Sequence, residues 1–228
     1  MDYSGLPERV AHVQETIARH QQLGGWSHPV MIVAVVKAHG PDAVRAATAA
    51  GLTAIGENRV QEALTKMAAV PDAAVEWHLI GTLQRNKVRH VIGKFALIHT
   101  VDRPELVAEL VKRIPPGGTE RVLIEVNCGA EVEKAGVAPE GLQALVELVE
   151  RHDVLRLEGL MTMGPLTHDP EAQRAPFRRL RELRDGLAGG GPQVPHLSMG
   201  MSNDYPVAVE EGATIVRLGT VLFGERSA

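Results

Sequence analysis

Met31-Ile32-Val33-Ala34-Val35-Val36-Lys37-Ala38-His39-Gly40-Pro41 holds a complete strand exit: an apolar, β-branched run, one lysine, then glycine and proline. A short run of this kind reads as a strand buried on both faces, as in a parallel sheet. Gly40-Pro41 stops it, and Pro41 suits the first turn of a following helix. Lys37 stands at the join. Burying an ammonium inside a strand is costly, whereas an amine at the carboxyl edge either faces a ligand pocket or snorkels to solvent. Desolvation at such an edge favours the neutral, nucleophilic form of an amine. The segment alone leaves both readings open.

Ahead of this unit, Leu6, Val10, Val13 and Ile17 recur at spacings of three and four, which predicts an extra N-terminal helix over 7–22. Behind it the strand-helix alternation repeats. Helices are expected at 41–50, 60–70, 83–92 (a basic one) and 139–151, and strands at 52–55, 76–80, 95–100, 121–126 and 155–161. Gly56-Glu57-Asn58 is expected to end the second strand, and Asp102 to cap a helix carrying Pro104 and Glu105 in its first turn. Pro176 predicts a break near Ala175 in the helical stretch 169–187, and Gly189-Gly190-Gly191-Pro192 reads as a connector. A strand at 196–199, a short helix at 204–211 and a strand at 213–218 complete the pattern. About eight strands, each followed by a helix, imply an α/β fold with a parallel sheet. At 228 residues the expected form is one (β/α)8 TIM-type barrel domain spanning 1–228, with an open doubly wound sheet as the alternative.

Composition removes several function classes. Hydrophobic residues make up 44% and charged ones 23%, an ordinary globular balance. Aromatics at 3% and a net charge of -4 disfavour nucleic acid, which requires stacking platforms and positive charge. The start, Met1-Asp2-Tyr3-Ser4-Gly5, lacks a basic segment followed by an apolar core, and no run reaches membrane-span length, so a cytoplasmic protein is expected. The single cysteine, Cys128, rules out an internal disulfide and a multi-cysteine metal site.

A barrel gathers its chemistry at the strand exits. Here these offer Lys37, Asn58, His78 with Gly81, Thr100, Asn127, Met161 with Met163, Ser198 with Ser202, and Arg217 with Gly219 and Thr220. No exit pair supplies two carboxylates for glycoside hydrolysis, and no cluster has metal-ligand spacing. The last two exits suit a phosphate. Ser198-Met199-Gly200-Met201-Ser202-Asn203-Asp204 brings hydroxyls and a glycine before a helix, and Gly219-Thr220 brings further backbone donors. Ser202 or Asn203 also suits the cap of that helix, and both roles are compatible. An amine facing a phosphate nest fits a phosphorylated aldehyde, either pyridoxal 5'-phosphate (PLP) or the substrate of a sugar-phosphate aldolase.

Several segments resemble the pyridoxal phosphate homeostasis proteins, a family related to the barrel domain of alanine racemase. They are Ala34-Val35-Val36-Lys37, Gly56-Glu57-Asn58-Arg59-Val60-Gln61-Glu62, Trp77-His78-Leu79-Ile80-Gly81-Thr82-Leu83-Gln84-Arg85-Asn86-Lys87 and Gly159-Leu160-Met161-Thr162-Met163. Leu197 to Asp204, Val216-Arg217-Leu218-Gly219-Thr220 and Phe223-Gly224 complete the set, which runs in order over nearly the whole chain. The resemblance implies an alanine racemase-like barrel that holds PLP as a Schiff base on Lys37. It also implies a role in buffering free PLP and delivering it to apoenzymes. Ala38-His39-Gly40 departs from the second lysine and proline common in the family, which weighs against a relay through a neighbouring amine. Lys134 lies in a stretch resembling a family segment with a lysine, but is read here as a solvated loop charge.

By the same resemblance Arg217 is the partner of the pyridine nitrogen, or else makes a salt bridge in the mouth. A guanidinium there keeps the nitrogen unprotonated and weakens carbanion stabilisation. His78 contacts the ring or is a core histidine; Asn58 bonds the ring oxygen or caps the next helix. Ser198, Met199, Ser202, Gly219 and Thr220 are the expected phosphate residues. A racemase needs a second base, and only Tyr3 and Tyr205 exist. A carrier without turnover is therefore expected, with an amino-acid racemase or lyase as the alternative, and analogy with the racemase, whose second domain makes its dimer, implies a monomer.

Overall fold

The computed structural model describes residues 2–129, 135–188 and 194–224; Lys134 and the Gly189-Pro192 connector fall outside them. Helix α1 (Leu6–Gly24) comes first, followed by β1 (Met31–Val35), α2 (Pro41–Ala49), β2 (Ala54–Glu57), α3 (Val60–Ala69) and β3 (Glu76–Leu79). A 3-10 helix, Arg85–His90, leads to β4 (Leu97–Val101), α4 (Pro104–Arg113) and β5 (Glu120–Glu125). After a 3-10 turn at Pro139–Gly141 come α5 (Leu142–Glu150), β6 (Leu155–Met161), α6 (Pro170–Ala188), β7 (His196–Ser198), α7 (Tyr205–Glu210), β8 (Ile215–Leu218) and α8 (Thr220–Phe223).

The eight strands close in sequence order into a parallel barrel, with β8 paired to β1 through Met31↔Ile215 to Ala34↔Leu218. Closure excludes the open sheet. Two apolar layers result. One lies between strands and helices and includes Leu6, Val10, Leu79, Leu106, Leu110, Phe177 and Leu222. The other fills the barrel interior with Val33, Ala54, Leu97, Leu123, Met161 and Ile215. Helix α1 adds Leu6, Val10, Val13 and Ile17 to the outer layer, as its spacing predicts. Among the described residues no helix is long and apolar enough to cross a membrane.

Several local expectations are corrected. Strand β2 runs through Gly56 and Glu57: a Cβ on Gly56 would come within 2.8 Å of Val33, so this glycine relieves crowding in the barrel instead of ending the strand. The basic stretch 83–92 forms only the 3-10 helix Arg85–His90, within which Val88 alone is buried and an α-helix would stack Arg85 on Arg89. Asp102 caps nothing; the N-cap of α4 is Arg103, and Asp102 accepts its guanidinium at 2.5 Å. Helix α6 passes through Pro176 unbroken. Its first turns are held by Gln173, which donates to Thr167 O at 2.7 Å, and by Arg174, bonded to Glu210 and Glu211. Its later turns are held by buried Phe177, Leu180 and Leu187. Packing on both sides outweighs the roughly 3 kcal/mol that an interior proline costs a helix.

Candidate cofactor site at the mouth of the barrel

Strand alternation builds the site. Two residues beyond the apolar interior layer, counting toward the strand exits, stand Val35, Gly56, His99, Glu125, Met163 and Arg217. The interior therefore turns polar one layer below the mouth. Arg217, 4% exposed, donates to Ser198 O at 2.7 Å, to Ser198 Oγ at 2.7 Å and to Thr162 O at 2.9 Å. Burial draws its pKa down to about 10, with Glu125 and Asp204 opposing, so the guanidinium remains charged at neutral pH. Among the described residues it makes no salt bridge, the alternative expected for it; its partners are neutral oxygens.

Ser198 Oγ passes the chain of bonds to His99 Nδ1 at 2.9 Å, and His99 Nε2 meets His78 Nδ1 at 2.9 Å. Burial pushes His78 down to about 4 and His99 well below the ordinary histidine value, so both rings are neutral. His78 Nε2 is buried without a partner among the described residues, with Glu76 Oε2 4.0 Å away.

Above this layer opens a cavity of about 510 Å³ whose wall includes Lys37, Asn58, Ser202, Arg217, Gly219 and Thr220. Lys37 rides on a tight turn closed by His39 N–H donating to Val36 O at 3.0 Å, with Ala38 at φ 65°. Asn58 is approached so closely by the β3 exit that a Cβ on Gly81 would lie 2.2 Å from its carbonyl oxygen. The loops after β7 and β8 converge: Gly219 N–H and Val221 N–H donate to Ser202 Oγ at 3.3 and 3.2 Å. Ser202 does not cap α7, whose N-cap is Asp204 with no side-chain cap bond. Nor does Asn58 occupy the N-cap of α3, which is Arg59. Backbone donors beside a hydroxyl, a buried guanidinium and an amine in one cavity suit an anionic, phosphorylated aldehyde with a ring nitrogen.

Six of the nine expected residues thus meet in this cavity. Ser198, Met199 and His78 do not line it: Ser198 lies beneath Arg217, Met199 is packed in the outer core, and His78 is at the foot of the imidazole pair. Sequence reasoning missed His99 and Glu125, although counting by two from Leu97 and Leu123 reaches both. Glu125 lines an adjoining cavity of about 190 Å³ that shares Asn58, Ile80 and Met163 with the first. Burial, helped by Asp102 and opposed by Arg217, pushes its carboxyl up to about 7, and no described residue bonds its Oε2. Also missed was the buried pair of Glu57 and Lys66, which have no signature in sequence beyond a lysine on the apolar stripe of α3. Among the described residues no group of side chains could hold a metal ion.

The family model described as the alanine racemase N-terminal domain matches residues 10–227. The pyridoxal phosphate homeostasis protein of Aquifex aeolicus is 46% identical over 222 residues, covering 96% of this chain and 97% of its own. That of Vibrio cholerae is 40% identical over 227 residues, covering 97% and 96%. Among solved structures, PipY of Synechococcus elongatus with PLP bound superposes with a TM-score of 0.85 at 35% identity, covering 96% of this chain and 100% of that one. Alanine racemase of Clostridium difficile, 15% identical with a TM-score of 0.72 and covered over 57% of its length, shares the fold. The chain belongs to the alanine racemase N-terminal-domain family and, within it, to the pyridoxal phosphate homeostasis proteins.

Proposed function

We propose that this protein binds PLP reversibly as a Schiff base on Lys37 and serves PLP homeostasis, holding a reactive aldehyde and passing it to PLP-dependent apoenzymes without turning over a substrate. The observation that carries the reading is the convergence of Lys37, Arg217 and the Ser202–Gly219–Thr220 donors on one cavity. In that arrangement the loops after β7 and β8 take the phosphate, Arg217 faces the ring nitrogen and Lys37 supplies the amine. Names and contents of the relatives agree: homeostasis proteins by name, and a full-length neighbour with PLP bound.

Two placements favour holding over turnover. A charged arginine at the ring nitrogen leaves the ring a poor electron sink. Tyr205 is 5% exposed in the outer core and Tyr3 bonds His39, so neither tyrosine lines the cavity as a second base would. Borohydride reduction of the PLP-loaded protein followed by peptide mapping should label Lys37. Protein that stays colourless with PLP, or a label elsewhere, overturns the assignment. Prolonged incubation with D- and L-alanine should leave each isomer unchanged, and racemisation at an enzymatic rate would favour the racemase alternative.

A further inference from the structure

We propose that the buried pair Glu57–Lys66 is the positioning device for Lys37, clamping the carbonyl of Val36 so that the turn Val36–His39 presents the amine to the cavity. The inference rests on the reading of Lys37 as the cofactor lysine. Lys66 takes the third place on the buried stripe of α3, after Val60 and Ala63, between the helix and the barrel wall. Glu57 is 0% exposed and Lys66 6%. An apolar side chain would serve packing there as well or better, since removing two charges from water costs more than their attraction usually returns.

What the pair touches explains its retention. Lys66 Nζ bonds Glu57 Oε1 and also donates to Val36 O at 2.7 Å, the same oxygen that accepts His39 N–H. Glu57 Oε2 in turn accepts Asn58 N–H at 3.2 Å. Lys37 and Asn58, both on the cavity wall, therefore each follow directly on a group gripped by the pair. The grip is needed because Ala38, at φ 65°, is the one described non-glycine residue with positive φ. Such a conformation disfavours a side chain and persists only where its surroundings over-determine it. On the far side of the turn the His39 ring packs on Phe223, centroids 5.2 Å apart, and meets Tyr3 Oη at 3.3 Å. Lys37 and Ala38 thus sit between two anchors, and the ion pair is the one that holds the backbone.

The test combines Glu57→Leu with Lys66→Met, which removes both charges and fills their volume. Amide hydrogen exchange of the apoprotein is read at His39 against β1 and β2, together with PLP affinity from the imine absorbance. The clamp predicts exchange at His39 faster by about tenfold or more, strand amides unchanged, and PLP affinity lower by about tenfold. Adding Ala38→Gly should recover affinity several-fold, because glycine adopts positive φ unaided. A folded double variant with native exchange at His39 and native affinity overturns the proposal. Should the double variant not fold, the wild-type apoprotein decides: His39 N–H must exchange about a hundredfold slower than a free peptide, and unprotected exchange overturns the clamp. Loss of the borohydride label at Lys37 in wild type would refute the cofactor reading without touching the exchange result.

Discussion

Glu125 sits in an environment at odds with what a carboxylate requires. A carboxyl buried against the smaller cavity, with no described residue bonding its Oε2, is stable there mainly as the neutral acid. Below the ordinary value of 4.5 it is protonated folded or unfolded, and its contribution is fully present. As pH rises through the folded value of about 7 the unfolded chain gains the ionised form more readily, so stability falls. The full shift corresponds to about 3 kcal/mol. Glu125→Gln should lack this decline: in urea unfolding between about pH 5 and about pH 8 the wild type should lose about 2–3 kcal/mol relative to the variant. A pH-independent difference would refute the assignment. The imidazole pair works with the opposite sign, since His78 and His99 stay neutral while an unfolded histidine protonates near 6.5, and stability is lost as pH falls below that value. Arg217, which only donates, leaves the Ser198 hydroxyl proton to be given to the imidazole pair. With Ser198 then donating to His99 Nδ1, both rings carry the proton on Nε2, and the last N–H faces the Glu76 carboxylate. Nitrogen-15 NMR of the apoprotein should show two Nε2–H rings, and an Nδ1–H signal from either would contradict that direction.

Among the elements, α6 shows how tertiary packing overrides a local signal. Pro176 removes one N–H···O bond from the helix, yet the element continues because both sides of the proline are anchored. Pro176→Ala should restore the bond at the expense of some ring packing and stabilise the protein by about 1–2 kcal/mol, read from the urea midpoint at constant m. A lower midpoint would show that the ring packs better than the helix bonds. The same contrast marks what was legible in sequence. Strand-helix alternation and the apolar strand cores state the barrel plainly, because eight buried strands each need an apolar run and a crossover. Lys37, Asn58, Ser202, Arg217, Gly219 and Thr220 are visible because strand exits are visible. What escaped depends on side-chain direction. His99 and Glu125 become apparent only once inward and outward positions are separated, and the partnership of Glu57 with Lys66 only once α3 lies on the outer wall of β2. Asp102 misled because a cap and a strand-end carboxylate look alike until the strand's true end, Val101, is known.

For the molecule as a whole, the barrel's seam and the wall of the candidate cofactor cavity coincide. Strands β7 and β8 share a single register pair, Ser198↔Ile215, whereas β8 and β1 share four. The thin junction is reinforced by a side chain: from β8, Arg217 reaches Ser198 O at the end of β7 and Thr162 O just past β6. It is thus a staple across the closing strands as well as the charged wall of the cavity. Removing it leaves the buried Thr162 O without this donor, at roughly 1–3 kcal/mol, takes from Ser198 O one of its two donors, the Thr162 N–H at 3.2 Å remaining, and opens a cavity between the closing strands. Arg217→Met should accordingly destabilise the apoprotein by about 2–4 kcal/mol, whereas Lys37→Ala, which removes a half-buried amine from a turn, should change it by less than about 1 kcal/mol. Chemical denaturation without PLP separates the two roles. Equal, small losses in both variants would show that Arg217 serves the ligand alone. A large loss confined to Arg217→Met would mean that the guanidinium lining the cavity also closes the barrel, so that weak PLP binding in any Arg217 variant must be read against its apo stability.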